Sequence, residues 1–415
     1  MNKKIITVLV ACAAYGLGQA QIVHDTVTTD PTYVNNVWYS LENDDQGSFA
    51  ANAWDISLAT AMGAANELTT SVWFNHKIGK VYEIPGSDPT DFANADTTGL
   101  STWTPLYNSD ESWAAGAFNS TTNLGQFDYG WGDYNMTTHG VDANRIFVIA
   151  YTNGDYKKLT ISSSNTTNIY TLTFDNLANT DLETEQIDVT AYTSKNFIGY
   201  NLTTKAIVDR EPASADWDLY FNQYPSFDYD PPYMVTGIFH NQDVQVAEVY
   251  PVNDPETFVD FSNATWEESI STIGYNWKTF DGMAFEIADS TVYFVIDKSG
   301  SVWKLIMTGF GGSATGKYMF GKEKLSGAGL TEENEMLAMA YPNPAADQTT
   351  LVLNNAPEAQ LSVYSMNGTC VYSSKLNAGE LTTTVLSTSD WANGFYQVTV
   401  TSGDAVSNLK LVVQH

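Results

Sequence analysis

Two stretches far apart in the chain, "ANAWDISLAT" from Ala51 and "SADWDLYFNQY" from Ser214, carry the same Trp-Asp pair followed by apolar and polar residues. One recurrence is weak, because aromatic residues are common in strands and Asp is common at their ends. Further anchors recur in the same order. Tyr39 matches Tyr200 at an offset of 161, Trp54 matches Trp217 at 163, Phe74 matches Phe239 at 165, and "DPTDF" from Asp88 matches "DPETF" from Asp254 at 166. The offset then falls: Trp131 meets Trp277 at 146, Met136 meets Met283 at 147, and Gly154 and Leu159 meet Gly300 and Leu305 at 146. A drifting offset with one step of about twenty residues is the signature of a duplication with a loop inserted in one copy. The insertion lies in the first copy, between Phe92 and Trp131, and includes "STWTPLYNSDESWAAGAF". Each copy has the length of an independent domain, about 130–150 residues.

The copies read as β-rich. "VYFVIDKSGSVWKLIM" and "YKKLTISSSNTTNIYTLTF" are each two strand-forming runs around a turn, a hairpin pattern. In "WDLYF" the alternation predicts Trp217, Leu219 and Phe221 on one face, with Asp218 and Tyr220 on the other. The expected fold class is all-β: two homologous β-rich domains in tandem, 21–182 and 183–322, joined near "TDLETEQIDVT", then a linker over 323–340 and a small β-sandwich over 341–415.

Composition narrows the function classes. The formal charge is −30, with 18 Lys and Arg against 48 Asp and Glu, so the surface repels phosphate backbones and nucleic acid is not an expected partner. Residues 1–20 have two lysines, an apolar run and small residues before Gln21, the layout of a secretory signal peptide cleaved after Ala20. "LVAC" offers the alternative of lipidation at Cys12. No later segment reaches the roughly 18 apolar residues of a membrane span. Without the leader only Cys370 remains, which excludes an intramolecular disulfide.

The end of the chain carries an ordered set of motifs: "YPNP" (Tyr341, Pro342, Asn343, Pro344), "MNG" ending at Gly368, "NGFYQVTV" with Gly394 and Tyr396, and "NLKLVV" with Lys410. This set resembles the C-terminal sorting domain of the type IX (Por) secretion system of Bacteroidota. The resemblance implies the type IX machinery as partner and export to the cell surface or the medium. The terminal "QH" departs from the basic ending common in such domains.

The repeats, "WYSLEN … WDISL … FVIAYTNGDYKKLTI" and "YNLTT … WDLYF … YFVIDKSGSVWKLIM", resemble the HmuY-like, haemophore-like proteins. Shared features are the Tyr-Leu strand, the Trp-Asp strand, and a late hairpin with Lys158-Leu159 or Lys304-Leu305. The resemblance implies haem, or a similar planar ligand, held between two axial His or Met side chains. The ligand candidates are His76, His240, Met136 and Met283. His76 and His240 fall in corresponding turns one position out of register, "FNH" against "FHN", and the alternative for each is a solvated turn residue. Met136 and Met283 correspond to each other, and their alternative is core filling beside aromatic rings. His139 has no counterpart.

An enzyme is not expected, since neither a zinc-protease nor a nucleophile-elbow motif is present. "GFGGSATG" from Gly309 lacks the lysine placement of a phosphate loop and reads as a sharp turn. "ENDDQG" and "FDYDPPY" hold oxygens enough for calcium but not the ligand spacing of a calcium loop. Two function classes follow: a surface or released binding protein, and an adhesive protein with the same fold that uses the Trp- and Ser-rich insertion as its contact surface.

Overall fold

The computed structural model describes residues 22–415, apart from 61–69, 122–124, 126, 263, 327–336, 355–358, 366–367, 377–380 and 403–404. The leader over 1–20 and Cys12 lie outside the described residues. The chain is all-β in antiparallel sheets, and the hairpins expected at 156–174 and 292–307 form as Tyr156–Ser164 with Ile169–Asn176 and Val292–Ile296 with Val302–Phe310.

The copies do not fold side by side. Each consists of an arm of three strands and a body of eight, and the arms are exchanged. The first arm (Val23–Thr28, Asn35–Ser40, Asp44–Ala50) joins the body of the second copy. Val23–Thr28 pairs with Lys317–Ser326, and Asn35–Ser40 pairs with Leu219–Ser226. The second arm (Glu183–Asp188, Phe197–Asn201, Ala206–Val208) joins the body of the first copy, through Ile169–Asn176 and Ile56–Ala59. The domain boundary expected at 182/183 is therefore corrected. One lobe is the continuous stretch 51–210, and the other combines 22–50 with 211–326. "TDLETEQIDVT" is not a joint but contains an edge strand, Glu183–Asp188.

The Asp of the repeated Trp-Asp pair latches this exchange. Asp55 accepts from the Leu202 amide of the second arm at 2.5 Å, and Asp218 from the Leu41 amide of the first arm at 2.7 Å. The backbone repeats the symmetry: the Asp55 amide donates to Tyr200 O and the Asp218 amide to Tyr39 O. A buried carboxylate that receives amide hydrogens compensates part of its desolvation and fixes the strand that supplies them.

Each lobe is a sandwich of a larger and a four-stranded sheet around its own core. In the continuous lobe Ile56, Leu58 and Ile198 of the small sheet face Leu159, Ile161 and Phe174 of the large one. In the composite lobe Val37, Leu219 and Phe221 face Tyr293, Leu305 and Phe320. The repeated Lys of the late hairpin is structural in both. Lys158 is buried and donates to Phe92 O, and buried Lys304 donates to Glu256 O, so each holds its copy's "DPxxF" loop. "GFGGSATG" ends in a four-residue helix, Gly312–Thr315, stopped by Gly316 at φ 66°. A Cβ there would sit 2.2 Å from Asp30 O, so only glycine lets the first arm approach this closely.

The stretch 323–340, expected as a linker, begins inside strand Lys317–Ser326 and ends inside Leu337–Tyr341; 327–336 lie outside the described residues. Beyond it, sheets of three and four strands enclose Leu351, Leu361, Val363, Val398 and Leu411. This is the expected small β-sandwich.

Candidate functional site

The lobes meet through a third aromatic cluster. Trp38, Trp73, Trp113, Phe197, Trp217, Tyr220, Tyr224 and Phe239 are all buried in it. This corrects the one-sided alternation expected for "WDLYF". Leu219 and Phe221 enter the composite lobe's core, while Trp217 and Tyr220 are equally buried because the other lobe covers that face. The insertion is the wedge of the junction rather than a displayed loop. Trp113 has ring centroids 4.9 Å from Trp73, 5.6 Å from Phe239 and 5.9 Å from Phe197. Its indole N–H donates to His240 O at 2.9 Å, and its own carbonyl accepts from Trp73 Nε1 at 2.9 Å. Ser71 Oγ also donates to the Trp113 carbonyl.

Two cavities open at this junction. The smaller, about 50 Å³, is walled by Trp54, His76, Lys77, Arg210, Asn222 and Tyr224 among others. The larger, about 260 Å³, is polar and lies between the insertion's Asp110 and Glu111 and the composite lobe's Tyr224, Ser226, Asp228 and Tyr275. Asp110 Oδ2 accepts from the Phe227 amide at 3.0 Å, and Tyr275 donates its phenol to Asp228 at 2.9 Å. Tyr224 walls both cavities.

The sequence-derived ligand candidates do not converge. His76 lines the smaller cavity; His240, Met136 and Met283 are not among its walls. Neither histidine is a solvated turn residue. His76 stacks on Tyr107, its Nε2 accepts from the Asn108 amide at 3.2 Å, and burial pushes its pKa down to about 3, so the ring is neutral. His240 is 1% exposed, with Nδ1 and Nε2 at 3.1 and 2.7 Å from the carbonyl oxygens of Asn241 and Ser269. The register explains why the two differ. His240 stands opposite Leu219 as Phe74 stands opposite Ile56, so the equivalent of Asn75 is Asn241. Both asparagines staple the loop before the Trp-Asp strand: Asn75 donates to Ala51 O and Trp54 O, Asn241 to Ser214 O and Trp217 O. Core filling is also corrected for the methionines, which are 69% and 92% exposed on hairpin turns at Met136 and Met283. Of the acid clusters, Glu42 and Asp44 are paired with Lys324 and Lys322, and among the described residues no group of three or more His, Cys, Asp or Glu could hold a metal ion.

Beside the smaller cavity, buried Glu211 accepts from the Asn196 and Phe197 amides at 3.0 and 3.2 Å. Desolvation pushes its carboxyl up to about 7, against the opposing charge of Arg210. The folded state thus holds this proton more tightly than the unfolded chain. Its contribution is complete below the unfolded pKa near 4.5 and is lost as pH rises through 7. Between pH 5 and pH 8 the wild type should lose roughly 2 to 3 kcal/mol that Glu211→Gln does not. Urea denaturation of both proteins at the two pH values measures the difference.

The C-terminal motif residues are brought together by the small sandwich. The Asn343 side chain bridges two points of the last strand, donating to Lys410 O and accepting from the Val412 amide, each at 2.7 Å. Tyr396 donates to Ala392 O at 2.8 Å, Lys410 lies 3.9 Å from the Phe395 ring centroid, and Gly368 takes φ 81° in its turn. His415 is secured to Trp391 O and to Asn393 Oδ1. Residues 339–414 match the family described as the secretion system C-terminal sorting domain. The C-terminal segment is a type IX sorting tail. A chain with this tail is secreted through the type IX system to the cell surface or the extracellular space. The tail packs on the composite lobe, where Tyr341 of its first strand stacks on Phe261 at 5.5 Å. Among the described residues no helix is long and apolar enough to cross a membrane. No curated protein matches the chain. Among solved structures, dimeric latent PorU from Porphyromonas gingivalis is similar at 12% identity and a TM-score of 0.17, over 65% of this chain and 31% of that one. The chain spans about a third of that protein's length.

Proposed function

We propose that the mature protein is a non-catalytic binding protein that works outside the cell and takes its ligand where its two lobes meet. The observation that carries this reading is the pair of cavities left open at an otherwise closely packed aromatic junction. Ligand sites concentrate at such inter-unit clefts, where few polar groups orient the guest. The adhesive reading is narrowed, because Trp113 of the insertion is buried in the junction and the exposed residues of the "STWTPLYNSDESWAAGAF" stretch are the polar Ser101, Thr102, Thr104, Glu111 and Ser112. A ligand that binds only the native state raises stability by about 2.7 kcal/mol at a hundred times its Kd. Thermal unfolding of the mature protein against the organic acids, sugars, amino acids and porphyrins of its growth medium should find a compound that raises Tm in the wild type and not in Tyr224→Ala. Protein recovered from the medium with no bound small molecule, and with a Tm that no compound moves, would overturn the reading.

Haem is the second reading. It is favoured by the HmuY-like resemblance and by two exposed thioethers, Met136 and Met283, on corresponding turns. The imidazole nitrogens of His240 both lie against carbonyls and Nε2 of His76 accepts an amide hydrogen, so the exposed methionines are the more accessible donors. On this reading, a visible absorption titration with haem gives a spectrum of protein-ligated iron that survives His240→Ala, and Met136→Ala and Met283→Ala, which stand in different lobes, each remove a separate part of it. A spectrum identical to that of free haem removes it.

A further inference from the structure

We propose that the smaller junction cavity is a carboxylate site, in which Arg210 and Trp54 bind the two oxygens of an organic acid and Asn222 completes the cradle. The proposal rests on the reading that the ligand sits at the junction, and names its chemistry.

Three residues that wall this one cavity each carry a buried polar atom with no hydrogen-bond partner: Arg210 Nε, Trp54 Nε1 and Asn222 Oδ1. Trp54 is 6% and Asn222 4% exposed. An unsatisfied buried donor or acceptor costs about 1–3 kcal/mol, and native folds seldom carry several at one place unless something fills the space. The volume, about 50 Å³, exceeds what one water needs.

The charge selects the guest. Arg210 has no carboxylate within ion-pair distance among the described residues, although the chain holds 48 acidic residues. Its terminal nitrogens donate to neutral hydroxyls, Tyr220 at 3.2 Å and Ser57 at 3.1 Å. The guanidinium carbon lies 4.2 Å from the Trp54 ring centroid and 5.4 Å from that of Trp38, so two indoles hold it beside the cavity that Trp54 and Arg210 help to wall. The neighbouring Glu211 carboxyl is occupied by the Asn196 and Phe197 amides. Lys77, also on the wall, donates to Thr32 O, Tyr33 O and Gln223, so it contributes positive potential rather than a free hydrogen. Water or a neutral amide could satisfy the two N–H groups but brings no charge of its own, and the nearby Glu211 carboxyl is taken up by two amides instead of an ion pair with the guanidinium. A carboxylate supplies both acceptors and charge, with charge-assisted bonds. The Asn222 amide can turn over to present its NH₂ to the same oxygens.

Sodium formate is the probe, added to the mature protein labelled with ¹⁵N at its tryptophan indoles, with Trp54→Phe identifying the Trp54 signal. The expected result is a saturable shift of that signal with formate, none with sodium chloride at equal ionic strength, and at least tenfold weaker binding in Arg210→Gln. Should that variant fail to fold, Asn222→Asp places a like charge in the cradle and should abolish the shift. An unmoved Trp54 signal, an equal response to chloride, or equal formate binding in folded Arg210→Gln would each overturn the site. If formate fails while another compound stabilises the protein through Tyr224, the junction reading stands and the carboxylate assignment falls.

Discussion

A fragment of residues 51–210 should fold cooperatively by itself, whereas a fragment of 211–326 should remain unfolded until a peptide of residues 22–50 is supplied. The first fragment contains every strand of its lobe, including the second arm. The second lacks the first arm, and with it Val27, Val37, Tyr39 and Leu41, all at most 4% exposed in the composite core. At about 1.5–3 kcal/mol for each buried side chain, the loss is about 6–12 kcal/mol, the whole stability of an ordinary domain. The missing arm also leaves Asp218 buried without the Leu41 amide and one edge of Lys317–Ser326 unpaired. Near-ultraviolet circular dichroism of the fragments, alone and with the peptide, tests this. A folded 211–326 fragment that ignores the peptide would mean that the arm is dispensable and that the exchange does not organise the lobe.

Trp113→Ala should destabilise the intact chain by about 3–5 kcal/mol, the range for removing a buried Trp, and should lower the cooperativity between the lobes. The substitution empties the centre of the junction and strips the His240 carbonyl of its indole donor. Because each lobe has its own core, the expected result is two separated unfolding transitions where the wild type shows one coupled transition. Scanning calorimetry reads both quantities. A variant within 1 kcal/mol of wild type would show that the wedge contributes shape and little energy, contrary to what a buried indole supplies.

The duplication, the hairpins and the sorting tail were legible because each is written in local patterns: ordered anchors, strand-turn-strand runs, and clustered motifs. The exchange was not legible, and for a physical reason. Both arms carry a Tyr followed two residues later by Leu, and both bodies carry an Asp that accepts the Leu amide. The same complementarity therefore fits an arm to either body, and only the path of the chain decides. The junction was hidden for a related reason. Tyr220 occupies the strand face opposite the one alternation assigns to the core, and Trp113 lies in a Trp- and Ser-rich insertion that reads as a contact surface. The true register between the turns of the two histidines is set by a ladder that sequence does not show, which puts Phe74 opposite Ile56 and His240 opposite Leu219. The cavity groups are spatial in origin: Trp54, Arg210 and Asn222 come from separate segments, and nothing in their local sequence marks them as orphans.

The ladder between Val23–Thr28 and Lys317–Ser326 has a topological outcome. It sets Val23 against Lys322, so the beginning of the described chain and the end of its second repeat leave from one border of the molecule. The two lobes thus form a nearly closed ring of polypeptide whose seam is a β-ladder instead of a peptide bond. Joining that seam covalently and reopening the ring between residues 210 and 211 would turn a composite lobe into a continuous one, with every strand pairing preserved.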